Sequence, residues 1–412
     1  MGGTKARIPR VDPRLVTLDD IRAARERLAD VVVRTPMEES RAVSAVAGVE
    51  TLLKCEHLQR TGSFKIRGAY NRIARLTDAE RAAGVVCASA GNHAQGVALS
   101  ARIAGVRARV FMPAGAPLPK VEATQGYGAQ VVLGGETFDD AFAASQAWTQ
   151  EHGATFVHPF DHADVIAGQG TLGLEILEQA PRAATVVVPI GGGGLIAGVA
   201  SAVKALRPDC RIIGVQAAGA ASFPDSIAAG KPVALPALST IADGIAIKNP
   251  GELTLAHVRA HVDQVVTVTD ESIARAVLLL VERAKQVVEP SGAAGLAAVL
   301  DGGLDLAGPV VVLLCGGNVD PLLLLRIIQS GMFEEGRYFV FRTPIRDEPG
   351  ALSALLGLLA EEGANVLGVA HHRMATRLGI LEVEVELEIE TRGPDHIAAV
   401  CAALAERGYA VG

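Results

Sequence analysis

The chain has 412 residues, half of them hydrophobic, which exceeds one typical domain and supplies apolar material for two or three separate cores. Its 45 acidic side chains outnumber 38 basic ones for a net charge of -7, and no dense Lys/Arg run is interleaved with aromatics, so a nucleic-acid surface is excluded and a small soluble ligand is expected. The cysteines (Cys55, Cys87, Cys210, Cys315 and Cys401) are odd in number and lack Cys-x-x-Cys spacing, which fits reduced thiols rather than a disulfide framework or a zinc site.

At the amino terminus Lys5, Arg7, Arg10 and Arg14 have no apolar stretch behind them, so a secretory signal is not expected and the chain is assigned to the cytoplasm. Ala6 stands where a myristoylation signal needs Ser or Thr. Thr17-Leu18-Asp19-Asp20 reads as a helix start, followed by Ile21, Ala24, Leu28 and Val31 at helical spacing. Short apolar runs at 85–87, 108–112, 130–133, 155–157, 185–190, 212–215, 265–268 and 310–314 then read as buried strands. Between most of them lie segments of helix length, such as 139–151, 168–179 and 273–285. That alternation predicts an α/β fold of parallel sheets with helices on both faces. The uncharged run 185–203 is interrupted by Pro189 and four glycines, so it reads as strand, loop and helix rather than a membrane span.

The pattern changes at Glu334-Glu335-Gly336. Beyond it strands are predicted at 338–345, 366–373 and 380–390 and helices at 350–361 and 395–407. In the last strand apolar residues alternate with Glu382, Glu384, Glu386, Glu388 and Glu390, giving one buried and one acidic face.

Three segments carry candidate chemistry: Ser63-Phe64-Lys65-Ile66-Arg67-Gly68 ahead of a predicted helix at 66–75, Ser89-Ala90-Gly91-Asn92-His93, and Gly191-Gly192-Gly193-Gly194 before Leu195. All fall at junctions where open parallel sheets bind ligands. A phosphate held without metal wants several backbone N–H donors at a helix start, and glycine permits that approach. Four adjacent glycines do not match Gly-x-Gly-x-x-Gly, which counts against a dinucleotide loop. A lysine can form an imine with a cofactor aldehyde and an Asn/His segment can orient ring and substrate, so the set reads as a pyridoxal-phosphate site. Removing the α-proton of an amino acid needs an electron sink and a base above Cα, and Lys65 is the candidate for both lysine roles, with Phe64 available to cover one cofactor face. His158, Asp161, His162 and Asp164 are close enough in sequence to suggest a metal cluster, but no metal is expected. His371 and His372 are adjacent on a predicted strand and point to opposite faces.

The segments around Lys65, Ala88 to Gly96, Asp164 to Thr171, the tetraglycine and Cys315-Gly316-Gly317-Asn318 together resemble the threonine dehydratase (threonine ammonia-lyase) family of tryptophan-synthase-β-like pyridoxal-phosphate enzymes, over residues 15–329. The resemblance implies a two-lobed fold-type-II architecture. It makes Lys65 the Schiff-base lysine, sets Asn92 against the cofactor's 3-hydroxyl, and puts Phe64, Gly191, Gly192, Gly193, Gly194, Leu195 and Cys315 around the cofactor with the glycines on its phosphate. Ser89, Ala90, Gly91, Asn92 and His93 would surround the substrate carboxylate. The family more often has serine where Cys315 stands near the pyridine nitrogen. Neither group keeps a pyridinium protonated as an aspartate would, so the ring is a modest electron sink suited to a leaving group on Cβ. Related serine racemases carry a second serine where this chain has Ala90, which cannot carry a proton. Related eukaryotic enzymes bind a divalent cation after a Gly-Val-Glu strand end, from which Gly214-Val215-Gln216, with Ala220 and Ser222, departs.

In the tail, Asp347-Glu348-Pro349-Gly350-Ala351-Leu352 resembles the strand-to-helix turn of an ACT domain, and the element order over 337–412 resembles its βαββαβ module. This implies pairing and an amino-acid effector site lined by Gly350, Ala351, Leu352 and Asn365; a tail that only oligomerises is the alternative. The expectation is a catalytic region at 1–335 and an ACT-like region at 336–412, in a homodimer or homotetramer with no membrane or nucleic-acid partner. It would convert L-threonine to 2-oxobutanoate and ammonia, with L-serine as a second substrate and isoleucine-type regulation. A serine dehydratase or racemase, and an amino-acid sensor without turnover, are the rival readings.

Overall fold

The computed structural model describes residues 15–373 and 379–411, so Lys5, Ala6, Arg7, Arg10 and Arg14 lie outside the described residues. The chain divides into two compact units, Met1–Asp320 and Pro321–Gly412. The boundary falls fifteen residues before the expected 335/336, because the helix Pro321–Glu334 belongs to the second unit rather than closing the first.

The first unit contains β1 (Met37–Glu39), β2 (Thr51–Lys54), β3 (Val85–Ala88), β4 (Ala108–Met112), β5 (Gln130–Leu133), β6 (Thr155–Phe156), β7 (Thr185–Pro189), β8 (Arg211–Ala217), β9 (Gln264–Val268) and β10 (Val310–Leu313). A six-stranded sheet runs β1-β2-β10-β7-β8-β9 and a four-stranded sheet runs β5-β4-β3-β6. Every pair is parallel except β1 with β2. Val186, Val187 and Val188 and the whole of β10 are buried, as expected of strands covered on both faces. Thr17 begins its helix (Leu18–Leu28) with a reciprocal cap to Asp20, as its sequence predicts. The predicted helix 273–285 is Asp270–Leu279 followed by one π-helical turn, Leu280–Ala284.

β1 and β2 were not among the predicted strands. β2 ends in Lys54, whose side chain is fully buried, donating to Glu175 at 2.9 Å, Gln179 at 2.7 Å and the Thr35 carbonyl at 2.8 Å. Arg67 lies in the same buried network, with two 2.8 Å bonds to Glu56 and one of 2.7 Å to Glu175. Because Arg67 and Lys65 share one helix, this charge network anchors the segment that bears Lys65.

Three helices meet backbone to backbone behind these sheets. Ala163–Gln179 lies between Lys65–Ala74 and Gly194–Leu206. A Cβ on Gly168 would come within 2.5 Å of the Arg67 carbonyl oxygen, and one on Gly198 would collide with that of Ile166.

The second unit is a three-stranded antiparallel sheet, β11 (Tyr338–Arg346), β12 (Asn365–His372) and β13 (Glu382–Glu390), ordered β11-β13-β12. Val383, Val385, Leu387 and Ile389 are buried with Leu355, Leu358 and Leu359 of the helix Ala351–Glu361 and Val400 and Leu404 of the helix Pro394–Glu406. The final strand of the expected βαββαβ order is not found among the described residues. After the last helix, Tyr409 packs toward the core and its amide bonds back to Leu404 at 2.9 Å, so the backbone turns rather than pairs. No helix among the described residues is long and apolar enough to cross a membrane.

Candidate active site

Lys65 is the first residue of its helix, and two other segments fix its position. The Phe64 amide donates to the Cys315 carbonyl at 3.2 Å, and Ser63 pairs with Gly316 in an isolated bridge. Lys65 Nζ donates to the Pro159 carbonyl at 3.1 Å and lies 5.2 Å from the Phe64 ring centroid. Desolvation of this half-buried side chain lowers its amine to about 8, against the opposing pull of Glu289. An amine so tuned is partly free base near neutral pH, which both imine formation and proton abstraction require.

Ser89, Ala90 and Gly91 form the half-buried loop between β3 and the helix Asn92–Ala104. The Gly91 amide donates to Ser89 Oγ at 3.2 Å, and the first amides of this helix form an electropositive end suited to a carboxylate. Asn92 Nδ2 donates to Glu289 Oε1 at 2.7 Å, and Asn92 Oδ1 accepts from Asn318 Nδ2 at 2.7 Å. Sequence reading did not single out Glu289, and quoted Asn318 only as part of a motif. Burial pushes Glu289 up to about 7, aided by the charge of Asp243. Asp243 in turn pairs with Lys120 at 2.8 Å. His93 departs from the expected carboxylate shell: it is buried and its Nε2 meets the Val157 carbonyl at 2.8 Å. Burial, reinforced by the charge of Lys65, drives it down to about 3, so it is a neutral packing group.

Gly191, Gly192, Gly193 and Gly194 link β7 to the helix Gly194–Leu206, whose first amides have no acceptor within the helix. Gly193 has φ +92°, and a Cβ there would come within 2.6 Å of the Phe223 ring. A Cβ on Gly192 would collide with Phe160, the neighbour of the Pro159 that holds Lys65, so lysine and glycine loop share one wall. Leu195 is buried behind the loop. Cys315 is buried at the end of β10, its thiol pushed well up by burial, so it is a neutral donor. The buried hydroxyls of Thr61, Ser63 and Ser291 have no hydrogen-bond partner among the described residues. A free amine, a glycine cradle at a helix start and spare hydroxyls together fit pyridoxal phosphate.

The other candidates fare differently. His158 Nδ1 accepts from the amides of Phe160 and Asp161, and His162 Nδ1 from that of Asp164, so both rings serve as backbone caps. Among the described residues no three His, Cys, Asp or Glu side chains are grouped to hold a metal. Gln216 spends its amide on Ala220 and Phe223. In the tail, Gly350 has φ +96° and Ala351 and Leu352 are half-buried beside the core, at the end of the sheet where β11 finishes. Asn365 pairs with Glu390, which pairs with Tyr338 at the start of β11. The eight-residue rise of the strand separates the two ends by roughly 26 Å, so a single chain does not assemble the expected four-residue effector site.

A family model for pyridoxal-phosphate dependent enzymes matches residues 28–316. The chain is 48% identical to L-threonine ammonia-lyase of Thermotoga maritima over 398 residues, covering 96% of this chain and 99% of the relative. Among solved structures, a threonine deaminase from T.th. shares 44% identity with a TM-score of 0.71 over 74% of this chain and 99% of its own. Maize serine racemase shares 40% with a TM-score of 0.73 over 78% of this chain and 100% of its own. The match begins before β1 and ends just past Cys315, so it takes in every segment converging on Lys65, and this chain belongs to the pyridoxal-phosphate dependent enzymes.

Proposed function

We propose that this enzyme is a threonine ammonia-lyase, eliminating water from L-threonine to yield, after hydrolysis, 2-oxobutanoate and ammonia, with L-serine as a second substrate. The observation that carries this reading is the Lys65 amine, placed at a helix start and held by the Pro159 carbonyl at 3.1 Å, in a chain 48% identical along nearly its whole length to a protein named for that reaction. Pyridoxal phosphate, when bound, supplies the electron sink that makes the α-proton labile. The protein's own groups do the rest. Lys65 Nζ takes the proton from Cα, the amides opening the helix Gly194–Leu206 hold phosphate, and those opening the helix Asn92–Ala104 receive the substrate carboxylate. Glu289, near 7, fixes Asn92 from behind and can keep a proton close to the reacting centre.

Elimination is favoured over racemisation because Ala90 offers no second proton carrier in its loop. Incubation with L-threonine and L-serine should release ammonia with 2-oxobutanoate and pyruvate, and chiral analysis should find little D-serine. D-serine forming as fast as pyruvate would overturn the choice, and no ammonia from threonine would favour the sensor reading. For the second unit we infer an amino-acid effector role, isoleucine-type, in an assembly of at least two chains. Support comes from the ACT-like turn at Gly350, and a site using both Gly350 and Asn365 would need two copies. Isoleucine should bind the full chain in equilibrium dialysis and shift its threonine dependence; absence of both refutes this role.

A further inference from the structure

The glycine loop is shaped by a residue that does not belong to it. Gln216, fully buried in β8, follows Val215, whose carbonyl accepts the Ile190 amide at 2.7 Å just ahead of Gly191. Its side-chain amide spans the following turn with both ends used: Nε2 donates to the Ala220 carbonyl at 3.2 Å, and Oε1 accepts the Phe223 amide at 2.9 Å. Phe223 opens the helix Phe223–Ala229, so its amide has no acceptor within that helix, and Gln216 caps it from seven residues away. The Phe223 ring is fully buried against Gly193, leaving 2.6 Å to a would-be Cβ. Thr254 supports the loop from beside it, with its hydroxyl donating to the Gly192 carbonyl at 2.7 Å.

We propose that Gln216 is a positioning residue for phosphate binding: its amide fixes Phe223, and the Phe223 ring sets the curvature of Gly192–Gly194 that aims their N–H groups at an anion. This rests on the reading that the tetraglycine holds the cofactor phosphate. The three small residues Ala218, Gly219 and Ala220 supply no side-chain brace of their own, and a Cβ on Gly219 would strike the Ser239 carbonyl. An apolar residue at 216 would leave the Phe223 amide and the Ala220 carbonyl buried without a partner.

The test compares full-length variants, purified as holoenzyme, freed of cofactor and equilibrated against graded pyridoxal phosphate, or against pyridoxal, which lacks the phosphate, with occupancy read from visible absorbance. Gln216→Leu should weaken pyridoxal phosphate about tenfold, the scale of one buried hydrogen bond, and leave pyridoxal within about twofold. An unchanged pyridoxal phosphate constant, or an equal loss for pyridoxal, overturns the proposal. Should Gln216→Leu fail to fold, Phe223→Leu removes the ring beneath Gly193 and must show the same phosphate-selective loss; an unchanged constant there overturns it as well. Gly192→Ala separates the two levels. If it keeps full affinity the glycine loop is not the phosphate site, whereas if it loses affinity and Gln216→Leu does not, only the role of Gln216 falls.

Discussion

The two units handle concentrated charge in opposite ways. In the first, Glu56, Arg67, Glu175 and Lys54 are withdrawn from water and neutralise one another at 2.7–2.9 Å. Burial alone would raise Glu56, but Arg67's charge and hydrogen bonds outweigh it and hold the carboxyl below its usual range. In the second, five glutamates line the solvent face of β13, with Arg342 reaching Glu384 and Glu386, Tyr338 donating to Glu388 and Asn365 to Glu390. Solvent screens that row. The buried set instead ties β2 and the helix Ala163–Gln179 to the segment bearing Lys65. Enclosure, rather than number, decides what a charge contributes.

Single substitutions sharpen the contrast. Lys65→Ala should lower ammonia release by roughly 10⁴-fold or to below detection and remove the normal visible absorption of the bound cofactor; appreciable turnover would unseat the lysine. Arg67→Met strands the buried Glu56 carboxylate, leaves Glu175 to Lys54 alone, and should cost about 3–5 kcal/mol in denaturant unfolding. The pH dependence comes next. With its amine depressed to about 8, Lys65 becomes free base as pH rises through 8 rather than 10.5, so cofactor capture by apoprotein should accelerate about tenfold per pH unit below 8 and level off above it. A midpoint near 10.5 in stopped-flow absorbance would contradict the desolvated site. Smallest is Arg342→Ala, on a half-exposed side chain, which should shift stability by less than about 1 kcal/mol. The comparison breaks if it costs as much as Arg67→Met.

Much of this was legible in the chain. Val310–Leu313 and Thr185–Pro189 announce themselves as apolar runs between turn residues, and Lys65 and the tetraglycine sit at strand-to-helix junctions. Glu289 was not legible, because its partner Asn92 lies 197 residues away. One signal was present: a glutamate stands directly before Pro290 at a helix start, where Ser, Thr, Asp or Asn ordinarily caps, and its carboxylate makes no cap and reaches across to Asn92. Lys54 hid β2 because a lysine closing a short apolar run reads as solvent-facing, and the carboxylate of Glu175, 121 residues on, makes its burial tolerable together with Gln179 and the Thr35 carbonyl. The place of the His93 side chain was hidden for a related reason. The His93 amide stands in the first turn of the helix Asn92–Ala104, while its side chain turns inward to the Val157 carbonyl.

The backbone contacts at Gly168 and Gly198 give the three-helix stack a further property. Lys65 begins one outer helix and Gly194 begins the other, and at Gly168 and Gly198 the nearest atoms across the crossing are backbone, which cannot adjust by changing rotamer. The span between them is therefore a ruler cut to one length. A cofactor analogue lengthened by a single methylene between ring and phosphate should be refused, while one altered at the ring edge but of native length should still seat.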